Sequence, residues 1–409
     1  MEATPFEVGA PAGPDELVAL APILGAGFGV PLPDVPGWIE RAGAENVRVV
    51  RARAAGRAVP VGALLQLPMG QWFAGRRVPM TGLAAVTIAP EHRGRGASDA
   101  LLRAFLRETR ARGTALSTLY PSTLHVYRRL GWEVAGARWE TRVPLAALAL
   151  RRFAADAADD AAAAALEVRP ATLDDQDALA TAHRAQAARA NGHLDRNAYM
   201  WMRIRRPYKE LEAHGWIALG RSGPEGYAFT VARRGDRLRF ELRVTDLVAL
   251  TTAAARRLLT LLGSFRSIAE TAVLPGGPAE PVLAHLADDR NETELKMPWM
   301  VRVVDAPAAL AARGWPEDAR GTLNLALEDD VLPENAGRFL LEVDGGRAEV
   351  RAGGEGRLRL GPQGLAALYT GFRTPADLCI AGLADGPARD LRLAAALFAT
   401  GVPSMPDHF

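Results

Sequence analysis

Apolar positions return with helical spacing in DELVALAPILGAGFG (residues 15–29), which predicts an amphipathic helix. From residue 46 the pattern turns strand-like, and NVRVVRARAAGRAVPVGALLQLPMGQWFAGRRVPM predicts hairpin strands with a glycine turn. TGLAAVTIAP continues as a strand, SDALLRAFLRETRARG as a helix and TALSTLYP as a buried strand. The order then repeats weakly. Residues 166–186 give strand then helix, and residues 226–263 give hairpin, strand and helix, so an internal duplication is predicted. The last segment holds GTLNLALEDD, RFLLEVDGGRAEVRAG and GRLRLGPQGLAALYTG, which predict strands around a Gly-Gly turn followed by helices.

Two breaks separate these segments. Residues 151–170 are rich in alanine and aspartate, carry no sustained apolar face, and read as a linker or a short exposed helix. Around residues 297–321 a short strand gives way to proline-bounded pieces. The expected architecture is α/β (α+β): a first unit at 1–150, a linker at 151–166, a second unit at 167–300 and a third at 301–409.

Composition narrows the function only by exclusion. A formal charge of +2 gives no reason to expect a nucleic-acid partner. No apolar run approaches the roughly 18 residues of a spanning helix, so no membrane partner is expected. The acidic N-terminus lacks a signal-peptide pattern, and a cytoplasmic location is the expectation. Cys379 is the single cysteine, which excludes an intrachain disulfide. The seven histidines show no metal-ligand spacing, so no metal is expected.

The chemistry concentrates in AVTIAPEHRGRGASD (residues 85–99), a strand, a basic glycine turn and a helix start. Such a turn gathers backbone N–H groups at a helix N-terminus, where an anion is stabilised. Arg93 and Arg95 add forked donors, Gly94 and Gly96 let the backbone approach a ligand, and Ser98 adds a hydroxyl. The turn is not a Walker A loop, and it lacks the third glycine of a dinucleotide fingerprint. Taken alone, it reads equally well as a phosphate seat or as an ordinary helix cap. The middle segment has no such turn between its strand TDLVAL and its helix AARRLLTLL.

With the later LYPSTLHVYRRLGWEVAG, the first segment resembles the GNAT superfamily of N-acetyltransferases. That resemblance implies acetyl-CoA as cosubstrate. Its pyrophosphate motif falls on Arg93, Gly94, Arg95, Gly96, Ala97 and Ser98, with serine replacing the usual final glycine or alanine. It also implies that the strand residues Val86, Thr87 and Ile88 meet the pantetheine arm and that Ser122 and Thr123 line the same cleft. Tyr127 takes the place of a tyrosine that often sits near the coenzyme sulfur. With an unperturbed pKa of about 10, a tyrosine stays protonated and can donate a proton. From spacing alone Tyr127 reads more readily as a core aromatic beside Trp132. His92 and His125 read as surface histidines.

A GNAT unit, a second one without its turn and a third unit similar to sterol carrier proteins together resemble the enhanced intracellular survival family. These are acetyltransferases of aminoglycosides and other amines. The resemblance implies that the terminal carboxylate, here that of Phe409, returns to the first unit as the catalytic base, and that the chain assembles as a homo-oligomer, a hexamer. A free α-carboxylate has a reference pKa of about 3.5 and is ionised at neutral pH. Phe28, Asp34 and Trp38 are candidates for an acidic, partly aromatic acceptor pocket and read equally well as core or loop packing. Ala85 stands where the family can carry a bulky aromatic, so a reshaped pocket is expected. Asp407 and His408 are expected to face the same site.

The expected function is acetyl transfer to an amine of an aminoglycoside or similar polyamine. Acetylation of protein lysines and non-catalytic acyl-CoA or lipid binding are the alternatives. The shortness of the third unit and the use of its tail argue against lipid transfer.

Overall fold

The computed structural model describes residues 6–54, 57–153, 156–207, 211–234 and 240–409. Ala154 and Ala155 of the expected linker lie outside the described residues.

The first unit opens with strand β1 (Phe6–Gly9) and helices α1 (Pro14–Phe28) and α2 (Val35–Ala42). Strands β2 (Val47–Ala54), β3 (Arg57–Phe73) and β4 (Arg76–Ile88) form the predicted meander. Helix α3 (Ala97–Ala111), β5 (Leu116–Leu119), α4 (Leu124–Arg128) and β6 (Glu133–Pro144) complete it. In α3 the apolar positions Leu101, Leu102, Phe105 and Leu106 fall on one stripe and are buried against Val50, Leu64 and Trp132. Burying each such side chain contributes roughly 1.5–3 kcal/mol.

The alanine-rich break folds as helix α5 (Asp156–Ala165), mostly exposed but with Ala163 buried against the middle unit. That unit contains β7 (Glu167–Pro170), α6 (Gln176–Ala187), β8 (Leu194–Asp195) and α7 (Ala198–Arg205). It continues with β9 (His214–Gly220), β10 (Gly223–Arg234), β11 (Phe240–Ala249), α8 (Thr252–Gly263), β12 (Ala269–Gly276) and β13 (Glu292–Val303). The predicted duplication is present: β3–β4–α3–β5 and β10–β11–α8–β12 run in the same order, each pairing an antiparallel hairpin with a parallel last strand.

The two units share one sheet, ordered β1-β2-β3-β4-β5-β13-β6-β12-β11-β10-β9-β7, with β8 pairing β3. The sixth strands are exchanged. β13, from the middle unit, inserts beside β5 through Met300–Leu119 to Val303–Leu116, while β6, from the first, pairs β12 through Thr271–Pro144 to Gly276–Trp139. Residues 301–303, expected to open the third unit, continue β13.

The third unit holds α9 (Ala306–Ala312), β14 (Gly321–Leu327), β15 (Gly337–Asp344), β16 (Arg347–Ala352) and β17 (Leu358–Leu360). Helices α10 (Pro362–Tyr369) and α11 (Pro375–Ile380), strand β18 (Ala384–Asp385) and helix α12 (Ala388–Leu397) follow. Its sheet runs β16-β15-β14-β17-β18. Arg313 is buried among the rings of Trp315, Tyr369 and Phe398, 4.6, 5.2 and 5.0 Å from their centres. Beyond α12 the chain leaves this unit and crosses to the other two.

Candidate active site

β4 and β5 pair in parallel from Met80–Leu116 to Gly82–Thr118 and then separate. Just past the parting, β4 bulges: Leu65 faces Ala84 and Ala63 faces Thr87, so Ala85 and Val86 stand against Leu64 alone. Ala85 takes a left-handed conformation, φ 54°, that side chains rarely adopt. The gap opens into a cleft of ≈710 Å³.

The chain end reaches this cleft. Met405 N–H donates to the Ala137 carbonyl at 3.3 Å and Ser404 N–H to the Asn191 carbonyl at 2.9 Å. The Tyr120 hydroxyl donates to the carbonyls of Met405 (3.1 Å) and Asp407 (2.6 Å). Arg138 Nε holds the Pro406 carbonyl at 3.0 Å and Arg203 Nε the His408 carbonyl at 3.1 Å. The buried Asp407 carboxylate accepts from Arg196 Nε at 2.8 Å, and Arg196 also pairs Asp246. Asp407 therefore anchors the tail on the middle unit and is absent from the cleft lining, unlike the expectation that it faces the site. His408 and Phe409 do line the cleft, their rings 4.9 and 5.8 Å from that of Tyr120. The Phe409 ring lies over Gly82, the last residue before the strands part; a Cβ there would stand 2.8 Å from the ring.

Tyr127 lines the same cleft, on the helical turn after β5, with its ring edge-on to Trp132 at 6.1 Å. It is both a core aromatic and a cleft residue. Burial pushes its hydroxyl up to about 12, so it is a held proton at neutral pH. Burial, followed by Arg203 and Arg138, pushes His408 down to about 4.

Phe28, Asp34, Trp38, Ala85, Val86 and Ser122 all line the cleft as well. Thr87, Ile88 and Thr123 do not: Thr87 and Ile88 are buried, Thr87 beneath Gly27 of α1 and Ile88 among the apolar residues under α3. The Arg93–Ser98 turn lies beyond the lining, at the start of α3. Gly94 and Gly96 are left-handed at φ 73° and 89°. No side chain caps α3, and Ala100 N–H to the Gly96 carbonyl is its opening bond, which leaves earlier N–H groups for a ligand. Arg93 Nε donates to the Ile88 carbonyl at 3.1 Å and fixes the turn on β4. Parted strands and an uncapped glycine turn fit a pantetheine arm that ends in a pyrophosphate.

The lining also includes residues that sequence reasoning passed over: Tyr120, Arg41, Tyr199 and Arg203. Trp38 Nε1 donates to the Tyr199 hydroxyl at 3.2 Å, so the middle unit closes the pocket that α2 opens. Tyr120 had a local signal, its place two residues before Ser122. Tyr199 and Arg203 had none, because nothing in their segment marks them as neighbours of α2. Among the described residues no group of side chains is arranged to hold a metal ion, and no helix is long and apolar enough to cross a membrane.

The GCN5-related N-acetyltransferase of Anabaena variabilis superposes with a TM-score of 0.91 at 31% identity, over 99% of this chain and 100% of that one. The chain belongs to the GCN5-related N-acetyltransferases. The family models for the acetyltransferase (GNAT) domain match residues 11–135 and 192–303, and that for the sterol carrier protein domain matches 306–406. N-acetyltransferase Eis of Mycobacterium tuberculosis is 26% identical over 90% of each chain. The GCN5-related N-acetyltransferase of Kribbella flavida is 29% identical with a TM-score of 0.82, over 99% of this chain and 98% of that one. The chain is thus an Eis-like N-acetyltransferase, and enzymes of this class use acetyl-CoA.

Proposed function

We propose that the chain transfers acetyl from acetyl-CoA directly to a small-molecule amine, with the Phe409 carboxylate as base and Tyr127 as acid. The observation that carries this is that Tyr127 and the chain end line one cleft at the point where β4 and β5 part. Val86 and Ser122 line the coenzyme side, with the Arg93–Ser98 turn receiving the pyrophosphate. The carboxylate takes the ammonium proton, the neutral amine attacks the thioester carbonyl, and Tyr127 gives its proton to the departing thiolate. Burial of Tyr127 keeps that proton in place.

The acceptor walls are mainly aromatic and apolar: Phe28, Trp38, Tyr199 and Phe409, with Pro31 and Pro33. Asp34 and the terminal carboxylate are offset by Arg41 and Arg203. This lining favours an amine with an apolar or aromatic body and low net charge over the most highly charged aminoglycosides.

The test is thiol release from acetyl-CoA with arylalkylamines, diamines and aminoglycosides as acceptors. Tyr127→Phe and a chain lacking Phe409 should each lower kcat by roughly 10²–10⁴-fold, with acetyl-CoA binding retained. Unchanged turnover in either variant overturns its assigned role. Faster turnover of polycationic aminoglycosides than of arylalkylamines overturns the acceptor reading.

A further inference from the structure

Where the middle unit meets the β3–β4 turn and the third unit lies a cavity of ≈690 Å³, nearly the volume of the cleft in the first unit. It occupies the corresponding place. β11 and β12 pair in parallel as far as Arg243–Val273 and then part, and Leu247, Ala249, Leu274 and Pro275 beyond that point line the space. Coenzyme has no seat there. Leu250 and Thr251 alone connect β11 to α8, without glycine, and the Thr251 side chain already caps α8 by accepting from Ala254 N–H.

The polar lining is left short of partners: Asn191 Oδ1 is buried without one among the described residues, and His193 and Glu280 face the same cavity. His193 is only 6% exposed, and its ring makes no hydrogen bond among the described residues. Burial holds it down to about 4, so the ring is neutral at pH 7. The largely buried Glu280 carboxyl accepts from the Gly277 N–H, and no cation pairs with it among the described residues. Burial raises its pKa, the response of a carboxylate that lacks a counter-charge. Glu280 stands beside the chain end: a Cβ at Gly277 would lie 3.3 Å from Glu280 Oε1 and 3.2 Å from Ser404 Oγ. Thr400, Gly401, Val402 and Ser404 also line the cavity, so its wall is the same chain end that reaches the acetyl-transfer cleft at Phe409.

We propose that this cavity binds a small organic amine. Its ammonium group pairs with the Glu280 carboxylate and donates to the neutral His193 ring, while its apolar body lies on Leu247, Leu274 and Val282. A carboxylate and an imidazole acceptor favour a cationic donor.

The test uses the full chain without Phe409 and without acetyl-CoA, so that neither turnover nor the complete acceptor pocket contributes. 4-Fluorophenethylamine is titrated by fluorine NMR. Saturable binding is expected. It should weaken at least tenfold in Glu280→Gln and in Thr252→Trp, the latter filling the cavity from the exposed start of α8. 2-(4-Fluorophenyl)ethanol, which has the same shape without the charge, should bind at least tenfold more weakly than the amine. If Glu280→Gln fails to fold, Thr252→Trp and the alcohol decide. The proposal is overturned by no saturable binding, by binding indifferent to the substitutions, or by the alcohol binding as tightly as the amine.

Discussion

In the first unit β4 and β5 separate after the Gly82–Thr118 pair; in the middle unit β11 and β12 separate after Arg243–Val273. Both parting strands bulge just beyond, β4 at Ala85 and Val86 and β11 at Thr245, which lies between the Phe229–Asp246 and Thr230–Val244 pairs. What differs is the filling. After β4 comes a turn with two left-handed glycines that leaves the start of α3 uncapped. After β11 comes a two-residue connection whose threonine caps α8. At the parting itself, Gly82 leaves room for the Phe409 ring, whereas the middle unit places Arg243 there, paired with Glu140 and Glu241. One backbone plan thus yields two clefts of similar size and different chemistry, and the chain end runs along both.

The exchange of β6 and β13 makes the units inseparable, and the largest expected effect follows from it. Residues 1–150 alone lack β13, which leaves β5 with an open edge and removes the buried Trp299, Met300, Val301 and Val303. This fragment should show no cooperative thermal transition. Residues 1–303 should show one, yet transfer no acetyl group without the tail. A cooperative melt of 1–150 would mean that the exchange is incidental to folding.

The next largest effect is pH-dependent and originates in the middle unit. His183 and His193 are buried, and burial holds them down to about 3 and about 4. His125 of the first unit is exposed. The unfolded chain binds these protons near pH 6.5 and the folded chain resists them, so each contribution is present above pH 6.5. It is lost as the pH falls toward the folded value, by up to about 1.4 kcal/mol per pH unit for each histidine. Urea unfolding between pH 7 and 4.5 should show this slope, reduced in His193→Gln. An unchanged slope in that variant would place the acid sensitivity elsewhere.

Much of the first unit was legible from its sequence because its signals are local. Strand alternation, the stripe of α3 and the glycine turn each lie within a short stretch, and Tyr127 follows β5 closely. Position 85 was legible as a pocket residue but not as a left-handed one, since alanine gives no hint of positive φ. Thr87 and Ile88 were placed on the pantetheine arm by the resemblance, whereas past the bulge their side chains are buried and outside the cleft lining. The strand exchange was not legible: β6 and β13 alternate as any sixth strand would, and register with a distant partner leaves no mark in composition. Tyr199, Arg203 and the Arg196–Asp407 anchor were hidden for the same reason.

Gly82 sharpens the comparison at the site itself. In Gly82→Ala the new methyl would meet the Phe409 ring at 2.8 Å and the Met69 side chain at 2.9 Å, so the chain end must shift. Turnover should fall about tenfold, or about 1.4 kcal/mol of barrier, with little change in acetyl-CoA binding. Arg243→Ala, at the matching place, should leave the ratio of kcat to acetyl-CoA affinity unaltered. Equal loss in both variants would show that the chain end does not depend on the space above Gly82.

The smallest effects have opposite signs at the two bulges. Ala85 carries its strain in the backbone, at φ 54°, and glycine adopts that conformation without a Cβ penalty. Ala85→Gly should therefore stabilise the chain by about 1 kcal/mol, the reverse of the usual cost of glycine in a strand. Thr245 is not left-handed, and its Oγ1 donates to the Ile204 carbonyl at 3.0 Å. Thr245→Gly loses that bond and adds unfolded-state entropy, so it should destabilise by about 1–2 kcal/mol. Denaturant midpoints for the two variants should move in opposite directions at constant m-value. If both move down, the left-handed turn at Ala85 is supported by its packing beside α1 and the strain there is not stored. The first bulge would then be as relaxed as the second, and the difference between the clefts would rest on the turns and the chain end alone.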